Sequence, residues 1–137
     1  AMTNIQSQST SNPTSISQYA ALAALTGPQD FINTMKEEFN KRRIHLVNEL
    51  NNIPGISCLK PTGAFYAFPN TSRLYGKKFG NREISSSLDL AIYLLEDAHV
   101  ALVHGEAFGN DNFIRISYAT SMENINKGIE RIKRSLS

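Results

Sequence analysis

The alternation of apolar and polar side chains that decides the fold class lies in one stretch, Phe113-Ile114-Arg115-Ile116-Ser117-Tyr118. Successive side chains of a strand point to opposite faces, so Ile114 and Ile116 share one face and Arg115 lies on the other. Apolar and polar residues that alternate over several positions are typical of a strand with one buried face. The stretch therefore predicts a β-strand with an arginine near the centre of its open face.

A helix is predicted directly after this strand. Residues 120–123 are Thr-Ser-Met-Glu, the form of a capping box, in which a hydroxyl and a carboxylate satisfy free backbone amides. Apolar residues then recur at spacings of three and four, the period of one helix face. These residues are Met122, Ile125, Ile129, Ile132 and Leu136. The pattern predicts an amphipathic final helix.

A longer helix is predicted upstream, because Pro28 suits a first helical turn. We expect this helix to end near Asn51 and Asn52, before a turn at Pro54 and Gly55. The stripe of side chains that it should bury comprises Phe31, Met35, Phe39, Arg42, Leu46 and Leu50.

The remaining segments complete a small α/β pattern. Short strands are predicted at residues 56–59, 64–68 and 100–103, and a surface loop at residues 71–83. A helix is predicted over residues 86–99, with its apolar face formed by Leu88, Ala91, Ile92 and Leu95. The order is helix, two strands, helix, two strands, helix. We therefore expect an α/β sandwich with helices packed on one face of a short sheet.

Composition narrows the function classes. The chain has 137 residues, 19% of them charged, and a formal net charge of +2, which suits one domain without a nucleic-acid-binding surface. No apolar run approaches the length of a membrane helix, and the N-terminus lacks the pattern of a signal peptide. The single cysteine, Cys58, excludes an internal disulfide and is expected to be a small core residue. These features favour a cytoplasmic globular domain.

The N-terminal segment is unusual because its first 29 residues carry no charged side chain. Residues 1–18 are rich in serine and threonine and are expected to be extended, whereas residues 19–25 are alanine-rich and expected to be helical. Two interpretations remain open for this segment. It is either a flexible lead-in or a surface that faces other protein.

Few residues suggest chemistry by themselves. The three histidines, His45, His99 and His104, lie far apart and match no metal-binding spacing. Arg115 has a planar guanidinium suited to bidentate carboxylate binding, although an arginine on a solvated sheet face is the simpler alternative. Residues 103–109 run from a strand into a glycine-flanked loop, which forms either a pocket wall or a plain turn.

Three motifs resemble the class I, aspartate-type aminotransferases. They are Ser9-Thr10-Ser11-Asn12-Pro13-Thr14-Ser15-Ile16-Ser17-Gln18-Tyr19-Ala20, Lys60-Pro61-Thr62-Gly63-Ala64-Phe65-Tyr66-Ala67-Phe68 and Phe113-Ile114-Arg115-Ile116-Ser117-Tyr118-Ala119. Because the motifs occur in order over essentially the whole chain, the resemblance is specific. The bacterial subgroup, which includes the aspartate/prephenate enzymes, is the most similar variety.

The resemblance implies a homodimeric pyridoxal 5'-phosphate enzyme that moves an amino group from an amino acid to a 2-oxo acid. This chain resembles the C-terminal third, which forms the smaller domain and includes a long interdomain helix. Residues 28–137 would form that domain, and residues 1–27 would pack on the larger domain and the dimer partner. The Schiff-base lysine of the family lies upstream, so the chain alone is expected to be inactive and not to bind the cofactor.

The resemblance also implies site residues. Arg115 matches the arginine that binds the substrate α-carboxylate, and Phe65 matches an aromatic pocket-wall position, with a core role as the alternative. Ser7 matches a position, reached from the neighbouring subunit, where some members use arginine for the distal carboxylate. His104 stands where the family usually has proline, and is either simply solvent-facing or a sign of a changed loop.

A different class of function also fits the sequence. The chain could be a free-standing, non-catalytic binding or regulatory module with an aminotransferase-like small domain. An upstream reading frame that contains the Ser-Lys segment would distinguish the enzyme from the module.

Overall fold

The computed structural model describes all residues, 1–137, and divides into two compact units, Ala1–Met35 and Lys36–Ser137. Each unit is described by itself below. The fold class is the predicted one, a mixture of helices with a short antiparallel sheet.

The first unit is helical, with α1 at Met2–Ser9 and α2 at Ser15–Thr26. The prediction that residues 1–18 are extended is therefore wrong. The serine and threonine hydroxyls that suggested a loop instead donate hydrogen bonds to carbonyl oxygens three or four residues earlier, as Ser9 does to Ile5 at 2.9 Å. Thr14 caps α2 by accepting a hydrogen bond from the backbone amide of Ser17.

The predicted long helix is α3, at Asp30–Asn51. Of its predicted stripe only Leu46 and Leu50 are buried, together with Val47, which the stripe did not include. Phe31 and Met35, which belong to the first unit, are 62% and 48% exposed. The helix therefore presents apolar side chains to solvent over its first two turns.

The central sheet has three antiparallel strands: β1 at Tyr66–Ala67, β4 at Val103–His104 and β5 at Ile114–Ser117, in the order β1-β5-β4. β5 is the predicted strand, and its neighbours are shorter than or displaced from the predicted ones.

The strand predicted at residues 56–59 does not form. Ser57 makes only an isolated bridge to Asn70, while the side chain of Asn51 bonds both the amide and the carbonyl of Cys58. The end of α3 thus takes the backbone groups that a partner strand would need. Cys58 is buried as predicted, and burial raises the pKa of its thiol.

The surface loop predicted at residues 71–83 is also wrong. A hairpin of β2 (Lys77–Phe79) and β3 (Arg82–Ile84) occupies its second half, and Gly80, with φ of 57°, begins the two-residue turn. Ile84 is fully buried and anchors the hairpin in the core.

The helix predicted at residues 86–99 is α4, at Ser87–Glu96, but the predicted buried face is wrong. Its buried side chains are Ser87, Leu90, Tyr93 and Leu94, whereas Leu88, Ile92 and Leu95 are exposed. Ser87 bonds to Asp111 through both its amide and its hydroxyl, and this anchor fixes the rotation of the helix.

The final helix is α5, at Met122–Ser135, and it buries Ile125, Ile129 and Ile132 as predicted. Its cap lies one residue later than expected, because Ser121 accepts the hydrogen bond of the Asn124 amide. No helix of the chain combines the length and apolar character that a membrane crossing requires.

Candidate carboxylate-binding site

Arg115 lies in the middle strand of the sheet, on the face away from the core. Ile114, its neighbour in β5, is fully buried, and Val103 of β4 lies directly opposite Arg115 in the antiparallel register. The predicted alternation is therefore correct. Since β5 has a partner strand on each side, the backbone that carries Arg115 is held on both edges.

Two aromatic rings enclose the Arg115 guanidinium. Its Cζ atom lies 4.4 Å from the ring centroid of Tyr66 in β1 and 4.4 Å from that of Phe108. A guanidinium over an aromatic face is attracted by the negative face of the ring. Both ring contacts are apolar, so the N–H groups of the guanidinium remain available as hydrogen-bond donors.

No carboxylate of this chain lies within 4.0 Å of Arg115, although other lysines and arginines form four ion pairs. Arginine is strongly suited to bidentate pairing with a planar anion. Arg115 is therefore a half-buried cation that contacts two rings and has no carboxylate partner within the chain.

The turn that carries Phe108 is tightly built. It is a 3-10 turn at Gly105–Phe108, ended by Gly109 in the left-handed region with φ of 80°. A Cβ on Gly105 would lie 2.2 Å from the carbonyl oxygen of Phe113, so only glycine fits there. The hydroxyl of Ser87 also accepts a hydrogen bond from the amide of Glu106, which ties the turn to the start of α4.

Two more aromatic residues support Phe108 from the side. Phe68 stacks on Phe113, with centroids 4.9 Å apart and planes 7° apart. The Phe68 ring also meets Phe108 edge-on, at 6.2 Å and 87°. Such offset and edge-to-face arrangements are the favoured ones for aromatic pairs. The face around Arg115 is therefore an apolar aromatic wall with one cation in it.

Phe65 lies beside this wall rather than in the core. Its ring is 43% exposed and packs against Phe39 and Tyr66, with centroids 6.3 and 4.8 Å away. Phe65 thus reaches Arg115 only through Tyr66. The preceding carbonyl, that of Ala64, accepts a hydrogen bond of 2.8 Å from the Tyr118 hydroxyl, and burial raises the pKa of Tyr118.

Ser7 and His104 are the other two residues named from the sequence. Ser7 is exposed on α1 in the first unit, where its hydroxyl donates a hydrogen bond to the carbonyl of Asn4. His104 is half-buried rather than solvent-facing, and its Nδ1 is buried without a hydrogen-bond partner, 4.0 Å from a carboxylate oxygen of Glu106. The histidine therefore faces the core side of β4, as its register partner Ile114 does.

The lysines of the chain do not suit a covalent cofactor link. A lysine that forms a Schiff base is usually activated by desolvation or by a neighbouring cation. Six lysines are exposed, and the seventh, Lys133, is half-buried in an ion pair with Glu49 at 2.6 Å. These residues do not fit pyridoxal phosphate as a covalently held group. No cluster of three metal-ligating side chains occurs either.

Sequence reasoning missed Tyr66 and Phe108 as partners of Arg115. Tyr66 lay in a predicted strand, and its register with Ser117 places it next to Arg115 on the same face. Phe108 lies in the glycine-flanked loop, for which the sequence allows either a pocket wall or a plain turn. The strand order β1-β5-β4 was the missing information, since it brings both segments to the two sides of β5.

The chain belongs to the family described as "Aminotransferase class I and II", which matches residues 1–132. Within that family it is similar to the bacterial aspartate and aspartate/prephenate aminotransferases. An aspartate aminotransferase of Rhizobium meliloti (strain 1021) is 50% identical over 133 residues, which are 96% of this chain and 32% of that protein. An aspartate/prephenate aminotransferase of Nitrosomonas europaea is 48% identical over 139 residues, covering 100% of this chain and 35% of that protein.

Solved structures agree with this assignment. The crystal structure of the aspartate aminotransferase from Rhizobium meliloti superposes with a TM-score of 0.94 at 48% identity, covering 98% of this chain and 34% of that one. An aromatic aminotransferase from Pyrococcus horikoshii gives a TM-score of 0.85 at 34% identity, covering 98% and 35%. The chain thus spans about a third of the length of its relatives.

Proposed function

We propose that this chain is the substrate-carboxylate-binding small domain of a pyridoxal-phosphate-dependent aminotransferase of the aspartate type. In this proposal Arg115 binds the α-carboxylate of the amino acid and of the 2-oxo acid. The observation that carries the proposal is the guanidinium of Arg115, which lies between Tyr66 and Phe108 and has no carboxylate partner within the chain.

The α-carboxylate is the ligand that best suits this site. It is planar and singly charged, so two parallel hydrogen bonds from the guanidinium edge would fix both its position and its plane. The related proteins carry names that refer to aspartate, prephenate and aromatic substrates. An α-carboxylate is common to the amino acids used by all of them, which favours the α-carboxylate over any distal group.

Two other residues would shape the substrate pocket. Phe65 is exposed beside Tyr66 and would extend the apolar surface of the pocket beyond that ring. Ser7 would contact the distal end of the substrate from a neighbouring subunit, with one weak hydroxyl where some members have a charged arginine. Distal recognition would then depend mainly on residues outside this chain.

The cofactor chemistry would belong to the rest of the protein. Bound pyridoxal phosphate supplies the electron sink that amino-group transfer requires. Since the chain spans about a third of its relatives' length and its lysines do not suit the covalent link, we assign that lysine to a larger, upstream domain. The chain would be inactive alone and would work in a cytoplasmic homodimer.

The experiment is to sequence the reading frame upstream of residue 1 and to assay the encoded protein. The proposal expects a longer frame with a Ser-Lys segment and transfer of the amino group from L-aspartate to 2-oxoglutarate. A frame that starts at Met2, with a product that transfers no amino group in the presence of pyridoxal phosphate, would contradict it. That outcome would support the free-standing binding module instead.

A further inference from the structure

We propose that Phe108 is a positioning residue that holds the plane of the Arg115 guanidinium, and so sets the affinity of the site for a carboxylate. The inference rests on the proposed function of Arg115 and adds a residue to it.

The two rings that enclose the guanidinium are held in different ways. Tyr66 is part of β1, and its backbone pairs with Ser117 of the same strand that carries Arg115. Phe108 is 47% exposed and comes from a 3-10 turn outside the sheet. The distance from Phe108 to Arg115 therefore depends on the turn, whereas that from Tyr66 depends on the sheet.

The turn is fixed from both of its ends. Gly105, at its start, packs against the carbonyl oxygens of Phe113 and Asn110, which leave no room for a Cβ. Beyond its end, one carboxylate oxygen of Asp111 accepts hydrogen bonds from the amide and hydroxyl of Ser87, at 2.9 and 2.5 Å. This arrangement holds an exposed ring in one place, although the ring itself buries little surface in the core.

The ring contributes more than apolar area. An arginine side chain has several rotatable bonds, and ordering them on carboxylate binding costs free energy. Contact with the Tyr66 ring and the Phe108 ring would restrict the guanidinium before the carboxylate arrives. Aromatic faces also attract the cation, so a ring holds it better than an aliphatic side chain of similar volume.

The test compares Phe108→Leu and Phe108→Tyr in the full-length protein that carries this chain. Leucine keeps apolar volume but loses the π face, whereas tyrosine keeps the ring. Phe79→Leu is the matched control, because the Phe79 ring stacks on Tyr93 and contacts neither Arg115 nor Phe108. The measurements are KM and kcat for L-aspartate, the inhibition constant of propionate as a simple carboxylate probe, and Tm.

We expect Phe108→Leu to raise both KM and the propionate inhibition constant by about three- to tenfold, because a cation–π contact is lost. Phe108→Tyr should restore values near those of the original protein, and Phe79→Leu should change Tm but neither constant. The proposal would be overturned if Phe108→Leu left KM and the propionate inhibition constant unchanged. It would also be overturned if Phe108→Tyr raised both constants as much as Phe108→Leu does.

A second measurement does not depend on activity. With 15N-labelled arginine, the Arg115 side-chain protons should show upfield ring-current shifts, and Phe108→Leu should reduce them. Unchanged shifts in that variant would also overturn the proposal. Arg115→Ala distinguishes failure of the proposed function from failure of the role of Phe108. If Arg115→Ala leaves activity intact, the proposed function is wrong. If Arg115→Ala abolishes activity while Phe108→Leu changes nothing, only the role of Phe108 is wrong.

Discussion

Lys133 of α5 donates a hydrogen bond of 2.6 Å to a carboxylate oxygen of Glu49 in α3, and so joins two helices across 84 positions of sequence. This hydrogen bond, together with the charge of Lys133, lowers the pKa of Glu49. The stabilisation from a carboxylate with a lowered pKa is present above its unfolded pKa of about 4.3 and is lost as pH falls through the lower folded value.

Glu49→Gln should therefore remove part of the acid sensitivity of the domain. We expect the urea midpoint of the variant to fall less between about pH 7 and pH 3 than that of the original chain, since the uncharged amide does not titrate. Glu130→Gln, at an exposed position of α5 without an ion pair, is the control. If the urea midpoint depended equally on pH in both variants, the pair of Glu49 and Lys133 would not couple the helices.

Gly105→Ala should destabilise the domain and loosen the turn that carries Phe108. The added Cβ would meet backbone carbonyl oxygens at 2.2 and 2.4 Å, and backbone atoms cannot move aside as a side chain does. We expect a loss of roughly 1–3 kcal/mol in the free energy of unfolding.

Gly128→Ala is the matched control for this substitution. Gly128 lies inside α5 and nothing lies within 4 Å of an added Cβ. Alanine should stabilise the helix there by about 0.5–1 kcal/mol. Equal effects of the two substitutions in a chemical denaturation experiment would contradict the packing described for Gly105.

Ala64→Gly should stabilise the segment beside the site. Ala64 has a φ of 56°, which glycine adopts without the steric cost that alanine has. We expect the free energy of unfolding to increase by up to about 1 kcal/mol. Ala101→Gly, an exposed position without positive φ, should instead cost stability because it adds freedom to the unfolded chain. Thermal melts of the two variants that shift in the same direction would contradict this account.

The chain alone should not take up pyridoxal phosphate at one defined lysine. Its lysines are exposed or ion-paired, so none has the desolvated surroundings typical of a Schiff-base lysine. Borohydride treatment followed by peptide mass mapping should therefore find no single modified lysine. Stoichiometric fixation on one of them would show that the chain holds the cofactor itself.

The sequence predicted the elements whose pattern is unambiguous. β5 alternates strictly and α5 repeats its isoleucines at helical spacing, so local pattern sufficed for both. In α4, however, Leu88, Leu90, Ile92, Leu94 and Leu95 are all apolar, and periodicity cannot choose between faces. The choice depends on the anchor between Ser87 and Asp111, which lie 24 positions apart.

The hairpin and the site around Arg115 also depend on contacts that a local sequence pattern does not predict. Lys77 and Lys78 made the β2 segment look like a solvated loop, although Gly80 and Asn81 are residues that favour a two-residue turn. The pairing of Phe108 with Arg115 depends on the strand order, which no local pattern contains. Resemblance to a family suggests Arg115 as a candidate but does not predict the rings around it.

The central claim is that Arg115 binds the α-carboxylate shared by all substrates, and steady-state kinetics of Arg115→Lys and Arg115→Ala in the full-length protein test it most directly. Loss of a charge-assisted bidentate contact in a closed site costs about 2–5 kcal/mol. We predict that kcat/KM falls for L-aspartate and L-phenylalanine alike, further for alanine than for lysine, with Tm nearly unchanged. Near-original kcat/KM for both amino acids in Arg115→Ala would contradict the claim and leave Arg115 as a strand residue on a solvated face.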